Sequence, residues 1–147
     1  MECGLTPRWS GRVVNNVPSS CDGALIDTVR LEKSWHAIHF LLSGTADAGE
    51  DPSQFLLSGV PMPGVTDCEV LQNPADKVRR FAAFLEGIST KALFDRCDIR
   101  RARELNVYNH EYLESDSRNH AEQYLNDLRE FTSRHARNGY DFLVVIA

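Results

Sequence analysis

The segment Leu31-Glu-Lys-Ser-Trp-His-Ala-Ile-His-Phe-Leu-Leu-Ser-Gly44 carries the helix pattern on which the fold class depends. Its large apolar residues recur every three or four positions, which is the spacing of one buried helix face. They are Trp35, Ile38, Leu41 and Leu42. We predict a helix from about Glu32 to Leu42, ended by Gly44 in the left-handed conformation. The chain closes on Phe142–Ile146, an apolar run typical of a strand inside a sheet, and we expect this strand and the helix to share one core.

Further patterns between these two segments predict a helix-rich α+β domain. The alternation over Leu25–Leu31 predicts a short strand, and Cys68–Gln72 predicts another. Pro74 suits the first position of a helix that Asn73 can cap, and a long helix is predicted over about Ser117–Arg137. We therefore expect a small sheet of three to four strands that includes a buried C-terminal strand.

The domain organisation predicted from these patterns is one folded unit with an N-terminal arm. Residues 1–22 show no sustained hydrophobic period, so we predict an arm with at most a short strand near Arg12–Val14. Residues 23–147 are predicted to form a single domain. A chain of 147 residues is long enough to bury a core without disulfide bonds.

The charge pattern argues against two classes of partner. A net charge of −5 at pH 7 is unusual for a nucleic-acid-binding protein, because contacts to phosphates need a basic surplus. Basic residues are frequent between Lys77 and Arg103, yet acidic residues are interleaved with them, which is typical of a solvated helix surface. No segment approaches the roughly 20 consecutive apolar residues of a membrane span. We therefore expect neither nucleic acid nor a membrane as partner.

The four cysteines give no sign of a metal site or of export. They are Cys3, Cys21, Cys68 and Cys97. No two form a CxxC pair, so their spacing predicts no zinc site. The start of the chain lacks a basic residue run followed by an apolar stretch, so we predict no secretory signal. A cytoplasmic location with free thiols is the resulting expectation.

Residues 33–44 match the pattern K-x-W-x-x-[LI]-H-x-x-L-[ST]-G, and the segments that follow keep a recognisable order. These are GEDPSQFLLSG, a strand, NPADKVRRFAAFL, DIRRARELNVY, a long helix and the closing apolar strand. Over about residues 25–147 the chain resembles the YfbM-like proteins, a bacterial family of unknown function. The resemblance implies an α+β fold and a bacterial cytosolic setting, and it implies no particular reaction.

Two histidines on the predicted helix, His36 and His39, are the first candidates for a site. Spaced three residues apart, they could share a metal ion with Asp47, Glu50 or Asp51 from the next loop. Because no clear third ligand exists, we predict no metal site and no cofactor. Two alternatives stay open. An imidazole can donate its N–H to a loop carbonyl and hold the loop in place, or His39 can act as a general acid or base with Asp47 or Asp51.

Four side chains, one of them His36 again, are candidates for binding. They are Trp35, His36, Tyr108 and Tyr112. The tryptophan gains most from burial, whereas a partly covered ring would form a pocket with His39 and Asp51. The two tyrosines lie in a polar connection that can either engage a partner or pack on the surface. Two histidines of the long helix, His120 and His135, are predicted to be solvated.

Two function hypotheses follow from these observations. The chain has no GxSxG, GxxxxGK[ST], GxGxxG or HExxH motif, and it is acidic. We therefore expect a non-catalytic binding protein, one form of which docks on another protein and neutralises it, as small acidic immunity-type proteins do. The alternative is a small hydrolase or transferase that uses His39 with a loop carboxylate.

Overall fold

A computed structural model of the chain describes residues 11–16, 25–64 and 68–146. Five strands form one antiparallel sheet. They are β1 (Gly11–Asn16), β2 (Leu25–Glu32), β3 (Val60–Pro61), β4 (Glu69–Asn73) and β5 (Asp141–Ile146). Their spatial order is β2-β1-β5-β4-β3, so the closing strand lies in the middle of the sheet, as its apolar sequence predicts.

Helices of the described residues pack against this sheet and against one another. The five α-helices are α1 (Trp35–Ser43), α2 (Ala75–Glu86), α3 (Thr90–Arg96), α4 (Ile99–Glu104) and α5 (Arg118–His135). Three short 3₁₀ helices cover Pro52–Leu57, His110–Leu113 and Ala136–Asn138. The predicted α+β class is confirmed. Within the described ranges no helix has both the length and the apolar character needed to cross a membrane.

Aromatic side chains join the sheet to the helices in one hydrophobic core. Phe55 of the first 3₁₀ helix stacks on Phe81 of α2 with ring centroids 4.3 Å apart, and Phe142 of β5 meets Phe55 edge-on at 6.2 Å. All three rings are fully buried, and burial of such a side chain stabilises the fold by about 1.5–3 kcal/mol. Helix α1 belongs to the same core, although its main contacts are with the first 3₁₀ helix. The expectation that α1 and β5 share one interior is confirmed.

The start of α1 differs from the sequence prediction. The helix begins at Trp35 instead of Glu32, which is the last residue of β2 and has a φ of 49°. Between them the hydroxyl of Ser34 donates a hydrogen bond to the carbonyl oxygen of Leu31 (2.5 Å), and this tight turn replaces the predicted first helical turn. The predicted end is correct, because Gly44 has a φ of 75° and its N–H closes the last turn with an N···O distance of 2.7 Å.

The N-terminal segment contributes more to the sheet than its sequence predicts. The short strand expected near Arg12–Val14 exists, but β1 covers six residues and pairs with β2 on one side and β5 on the other. The prediction that residues 1–22 form an arm is therefore wrong for residues 11–16, while residues 1–10 and 17–22 lie outside the described residues. With β1 and the two-residue β3 included, the sheet has five strands instead of three to four. An interior strand is stabilised by pairing on both sides, so its own hydrophobic pattern is a weak guide.

Candidate functional site

Both ring nitrogens of His36 form hydrogen bonds with the backbone of other segments. Its Nδ1 accepts from the N–H of Tyr108 (2.9 Å), and its Nε2 lies 3.0 Å from the carbonyl oxygen of Ala46. A carbonyl can only accept, so the proton of the imidazole must be on Nε2. Burial lowers the pKa of His36. The ring is therefore neutral and has no nitrogen left for chemistry.

His39 is fully buried one turn further along α1. Its Nε2 lies 2.9 Å from the backbone carbonyl oxygen of Asp47, which fixes the proton on Nε2 in the same way. Among the described residues its Nδ1 has no hydrogen-bond partner. Burial lowers its pKa to about 4, because a charged imidazole would lose its hydration there. The exposed fraction of this residue is 0%, so no substrate can reach the ring without a rearrangement.

The two histidines together hold the loop that follows α1. Their acceptors, the carbonyls of Ala46 and Asp47, are neighbours in that loop. Ser43 adds a third contact, since its hydroxyl donates to the carbonyl of His39 (2.7 Å) and accepts from the N–H of Thr45 (3.2 Å). The hydrogen bond predicted from an imidazole to a loop carbonyl is present, and it occurs twice.

The carboxylates of Asp47 and Asp51, which we considered as partners of His39, form no described hydrogen bond to its ring. Asp47 meets the imidazole through its backbone carbonyl, and no carboxylate oxygen forms a described hydrogen bond to His39. Asp51 lies at the start of the first 3₁₀ helix, where its N–H donates to Oε1 of Gln54 (3.2 Å). No group of three or more His, Cys, Asp or Glu side chains in the described part of the chain is arranged to hold a metal ion.

The predicted binding residues fall into two aromatic clusters. Trp35 is buried with 9% of its surface exposed, stacks on His36 at 4.9 Å and lies 6.3 Å from Tyr108. Burial raises the pKa of Tyr108. Tyr112 belongs to the second cluster, edge-on to Tyr124 of α5 at 6.4 Å. The tryptophan therefore works as a packing residue.

Asp51 instead lines an open cleft of about 400 Å³ that the sequence analysis did not foresee. The cleft lies between the end of α1, the first 3₁₀ helix and the connection from α3 to α4. Its lining residues include Phe40, Ser43, Asp51, Ser53, Phe84, Arg96, Cys97, Asp98 and Arg101. The two arginines come from the basic stretch that we interpreted as a solvated helix surface, and no linear motif distinguishes them from their neighbours.

The cleft presents both signs of charge and no activated nucleophile. Arg96 donates to the carbonyl oxygen of Leu42 (2.8 Å), which lies in the last turn of α1. Asp98 caps α4 by accepting from the N–H of Arg101 (3.0 Å). Burial, assisted by the charge of Asp98, raises the pKa of the Cys97 thiol, so the thiol stays protonated at neutral pH. The arrangement can bind charged groups, and the thiol that lines it is held in the protonated form.

Other cations of the basic stretch form ion pairs within their own helices. These pairs join Arg80 to Asp76, Lys91 to Asp95 and Arg100 to Glu104. Every side chain in them is at least half exposed, so each pair stabilises its helix by only about 0.3–0.5 kcal/mol. This arrangement agrees with a solvated helix surface.

One histidine of α5 corrects the sequence prediction. His135 is buried with 8% of its surface exposed, whereas the sequence predicts a solvated residue. Its Nε2 lies 2.9 Å from Oδ2 of Asp27 on β2, and Arg134 donates to the same oxygen (3.0 Å). The partner is 108 positions away in sequence, so no local pattern could identify it.

Comparisons with known proteins agree with this fold. The family described as "Domain of unknown function (DUF1877)" matches residues 7–145. Among solved structures, the protein of unknown function YfbM from Escherichia coli is similar with a TM-score of 0.70 and 18% sequence identity, over 94% of this chain and 99% of that chain. At this identity the likeness shows the fold alone. Among curated proteins none matches this chain.

Proposed function

Because the chain belongs to the family described as Domain of unknown function (DUF1877), whose description names no reaction, we propose from its side chains that it is a non-catalytic binding protein with another protein as its ligand. The observation that carries the proposal is the state of the two histidines. Both nitrogens of His36 and one nitrogen of His39 are engaged by backbone groups, and His39 is fully buried. A general acid or base must reach the proton that it transfers.

The cleft lined by Asp51 and Arg101 supports binding as the alternative to catalysis. Its walls carry carboxylates and guanidinium groups, and Phe40 and Phe84 provide apolar surface between them. Specific protein interfaces combine an apolar centre with charges that set orientation and partner choice. The cleft is open on one side, which suits side chains projecting from a partner's surface.

The net charge of −5 adds to this proposal. Charge of one sign keeps a small protein soluble and accelerates its association with partners of the opposite charge. Docking on a partner and neutralising it, in the manner of small acidic immunity-type proteins, is the form of binding that we propose for this chain.

The test is quantitative capture of proteins from native lysate on the immobilised chain, with two matched charge reversals. Arg101→Glu changes the cleft, whereas Arg100→Glu changes the neighbouring residue outside it, and both arginines lie 3.4 Å from a carboxylate oxygen of Glu104. We expect at least one protein that the wild type and Arg100→Glu retain equally and that Arg101→Glu retains about tenfold less.

Two results would contradict the proposal. One is capture of no protein above a blank resin. The other is equal loss with both variants, which would mean that charge anywhere on α4 matters and the cleft does not. Thermal unfolding of both variants serves as the control for folding, since their side chains are 55% and 88% exposed and surface substitutions change stability by about 0.5 kcal/mol or less.

A further inference from the structure

A second concave surface lies at the edge of the sheet and shares no lining residue with the cleft. It is a groove of about 470 Å³ between β2 and α5. The strand contributes Thr28, Val29, Arg30 and Glu32, and the helix contributes Tyr124, Asp127, Glu130, Phe131 and Arg134. None of these residues was singled out as a site by the sequence analysis.

Three consecutive residues of β2 line this groove. This shows whether the groove borders a face of the strand or its edge. Side chains of a strand alternate between the two faces of the sheet, so Val29 points to the core while Thr28 and Arg30 point to the other face. All three can border one groove only along the open edge of the strand. The groove therefore borders the backbone edge of β2, and no described strand pairs with that edge.

The facing helix has the length and direction to form a second wall. Asp27 near the start of β2 contacts Arg134 near the end of α5, while Glu32 at the end of β2 and Tyr124 in the first half of α5 line the same groove. The six residues from 27 to 32 span about 17 Å of strand, and the helix rises about 15 Å between 124 and 134. The two walls run antiparallel over the length of about five extended residues.

The charge of the groove is biased towards acid. Arg134 is held between Asp27 (3.0 Å) and Glu130 (3.1 Å), so its charge is balanced. Glu32 and Asp127 then face Arg30 as the one remaining cation of the lining. Burial raises the pKa of Tyr124, and the charges of Tyr112, Glu32 and Asp127 add to the same shift.

The two edge strands of the sheet differ in length and in proline content. Strand β3, at the opposite edge, has two residues and one of them is Pro61, which cannot donate a hydrogen bond. Strand β2 has eight residues and no proline. Its last residue, Glu32, has a φ of 49°, which belongs to the tight turn into α1.

From this geometry we propose that the groove between β2 and α5 binds an extended basic peptide segment of a partner protein, which adds a sixth strand to the open edge of β2. Backbone hydrogen bonds to β2 provide the affinity, and the acids on β2 and α5 select basic side chains. This site is separate from the cleft of the proposed function, and the two can be tested independently.

The test uses a fluorescein-labelled peptide of seven residues in which lysine and valine alternate. Two control peptides accompany it, one with glutamate in place of lysine and one with proline in place of both the central valine and the lysine after it. Because neighbouring N–H groups of a strand point to opposite sides, one of the two prolines removes a donor that faces β2. We expect binding of the lysine peptide, binding weaker by about tenfold or more for the proline peptide because it loses a backbone donor, and none for the glutamate peptide. In ¹⁵N spectra the amides of residues 28–30 shift, and those whose N–H points away from β1 exchange more slowly.

Matched variants of the chain separate this groove from general electrostatics. Asp127→Lys places a cation in the groove and should weaken binding by about tenfold. Asp116→Lys changes the net charge equally at an exposed position outside it and should leave the affinity unchanged. Arg101→Glu, which tests the cleft, should leave it unchanged as well.

Five results would overturn the inference. Four of them are no binding of the lysine peptide, equal binding of the proline peptide, equal weakening by Asp116→Lys, and amide shifts confined to the cleft. A concentration-dependent dimer that forms through β2 and excludes the peptide would also overturn it, since a second copy would then occupy the edge.

Discussion

The imidazole of His36 joins α1 to a segment far along the chain, because its Nδ1 accepts a hydrogen bond from the N–H of Tyr108, 72 positions later (2.9 Å). The opposite nitrogen bonds to the carbonyl of Ala46 in the loop after α1. One neutral ring thus connects three segments, and Trp35 covers it by stacking at 4.9 Å. The two histidines of the helix motif therefore connect segments of the fold through hydrogen bonds.

Substitution of His36 by alanine should lower the free energy of unfolding by about 2 kcal/mol. The variant loses two hydrogen bonds, each contributing about 0.5–1.5 kcal/mol, and removes the ring on which Trp35 packs. Urea unfolding followed by tryptophan fluorescence measures the change. His120→Ala is the matched control, because that histidine is exposed on α5, and a loss as large as that of His36→Ala would contradict the assigned role.

Acid should destabilise the fold through His39. The unfolded chain binds a proton near the ordinary pKa of 6.5, whereas burial holds the folded value at about 4. The stability that this neutral ring contributes is therefore fully present well above pH 6.5 and is lost as the pH drops towards 4, because only the unfolded state gains the proton. A shift of this size corresponds to about 3 kcal/mol between those two pH values. Urea titrations at half-unit steps of pH measure the slope.

A variant isolates the contribution of His39 from that of other groups. His39→Gln keeps an N–H donor for the carbonyl of Asp47 and has no titrating ring. We expect its loss of stability between pH 6.5 and pH 4 to be smaller than that of the wild type by about 3 kcal/mol. Equal slopes for the two proteins would show that the ring is accessible to protons in the folded state.

Elements determined by nearby residues could be predicted from the sequence. The end of α1 at Gly44 needs only a local left-handed turn, and the apolar run of β5 indicates a central strand by itself. The hydrogen bonds from the two histidines of α1 to the loop that follows it span only ten and eight positions. Because these partners are close in sequence, a structural role for the histidines could be predicted.

Features assembled from distant segments could not be predicted in this way. Strand β1 owes its place to pairing with β2 and β5, and neither partner can be read from residues 11–16. The burial of His135 could not be predicted either, because its partner Asp27 lies 108 positions away in sequence. The cleft around Arg101 combines several segments and the groove beside β2 combines two, so their residues show no common motif.

Asp27 and His135 should show a measurable coupling energy. Single and double alanine substitutions of the two residues form a mutant cycle, which isolates their interaction. We expect about 1 kcal/mol, because one partner is buried and the Nε2···Oδ2 distance is 2.9 Å. The exposed pair Lys91–Asp95 provides the reference cycle, with an expected coupling of about 0.3–0.5 kcal/mol. A coupling no larger than this reference would mean that the buried pair adds nothing to the contact of β2 with α5.

Two glycine substitutions should have opposite effects on stability. A methyl group at Gly59 would lie 2.7 Å from Cβ of Leu71 and 2.8 Å from Nδ2 of Asn73, both in β4, so the strand must shift. We expect Gly59→Ala to lower the free energy of unfolding by about 1–3 kcal/mol.

At Gly87 the nearest atom to an added methyl group, the carbonyl oxygen of Ala83, is at 3.5 Å and φ is −83°. Gly87→Ala should therefore raise that free energy by about 0.5 kcal/mol, because it restricts only the unfolded chain. Urea unfolding of both variants gives the comparison, and a Gly59→Ala variant as stable as Gly87→Ala would show that β4 does not pack closely on the turn at residue 59.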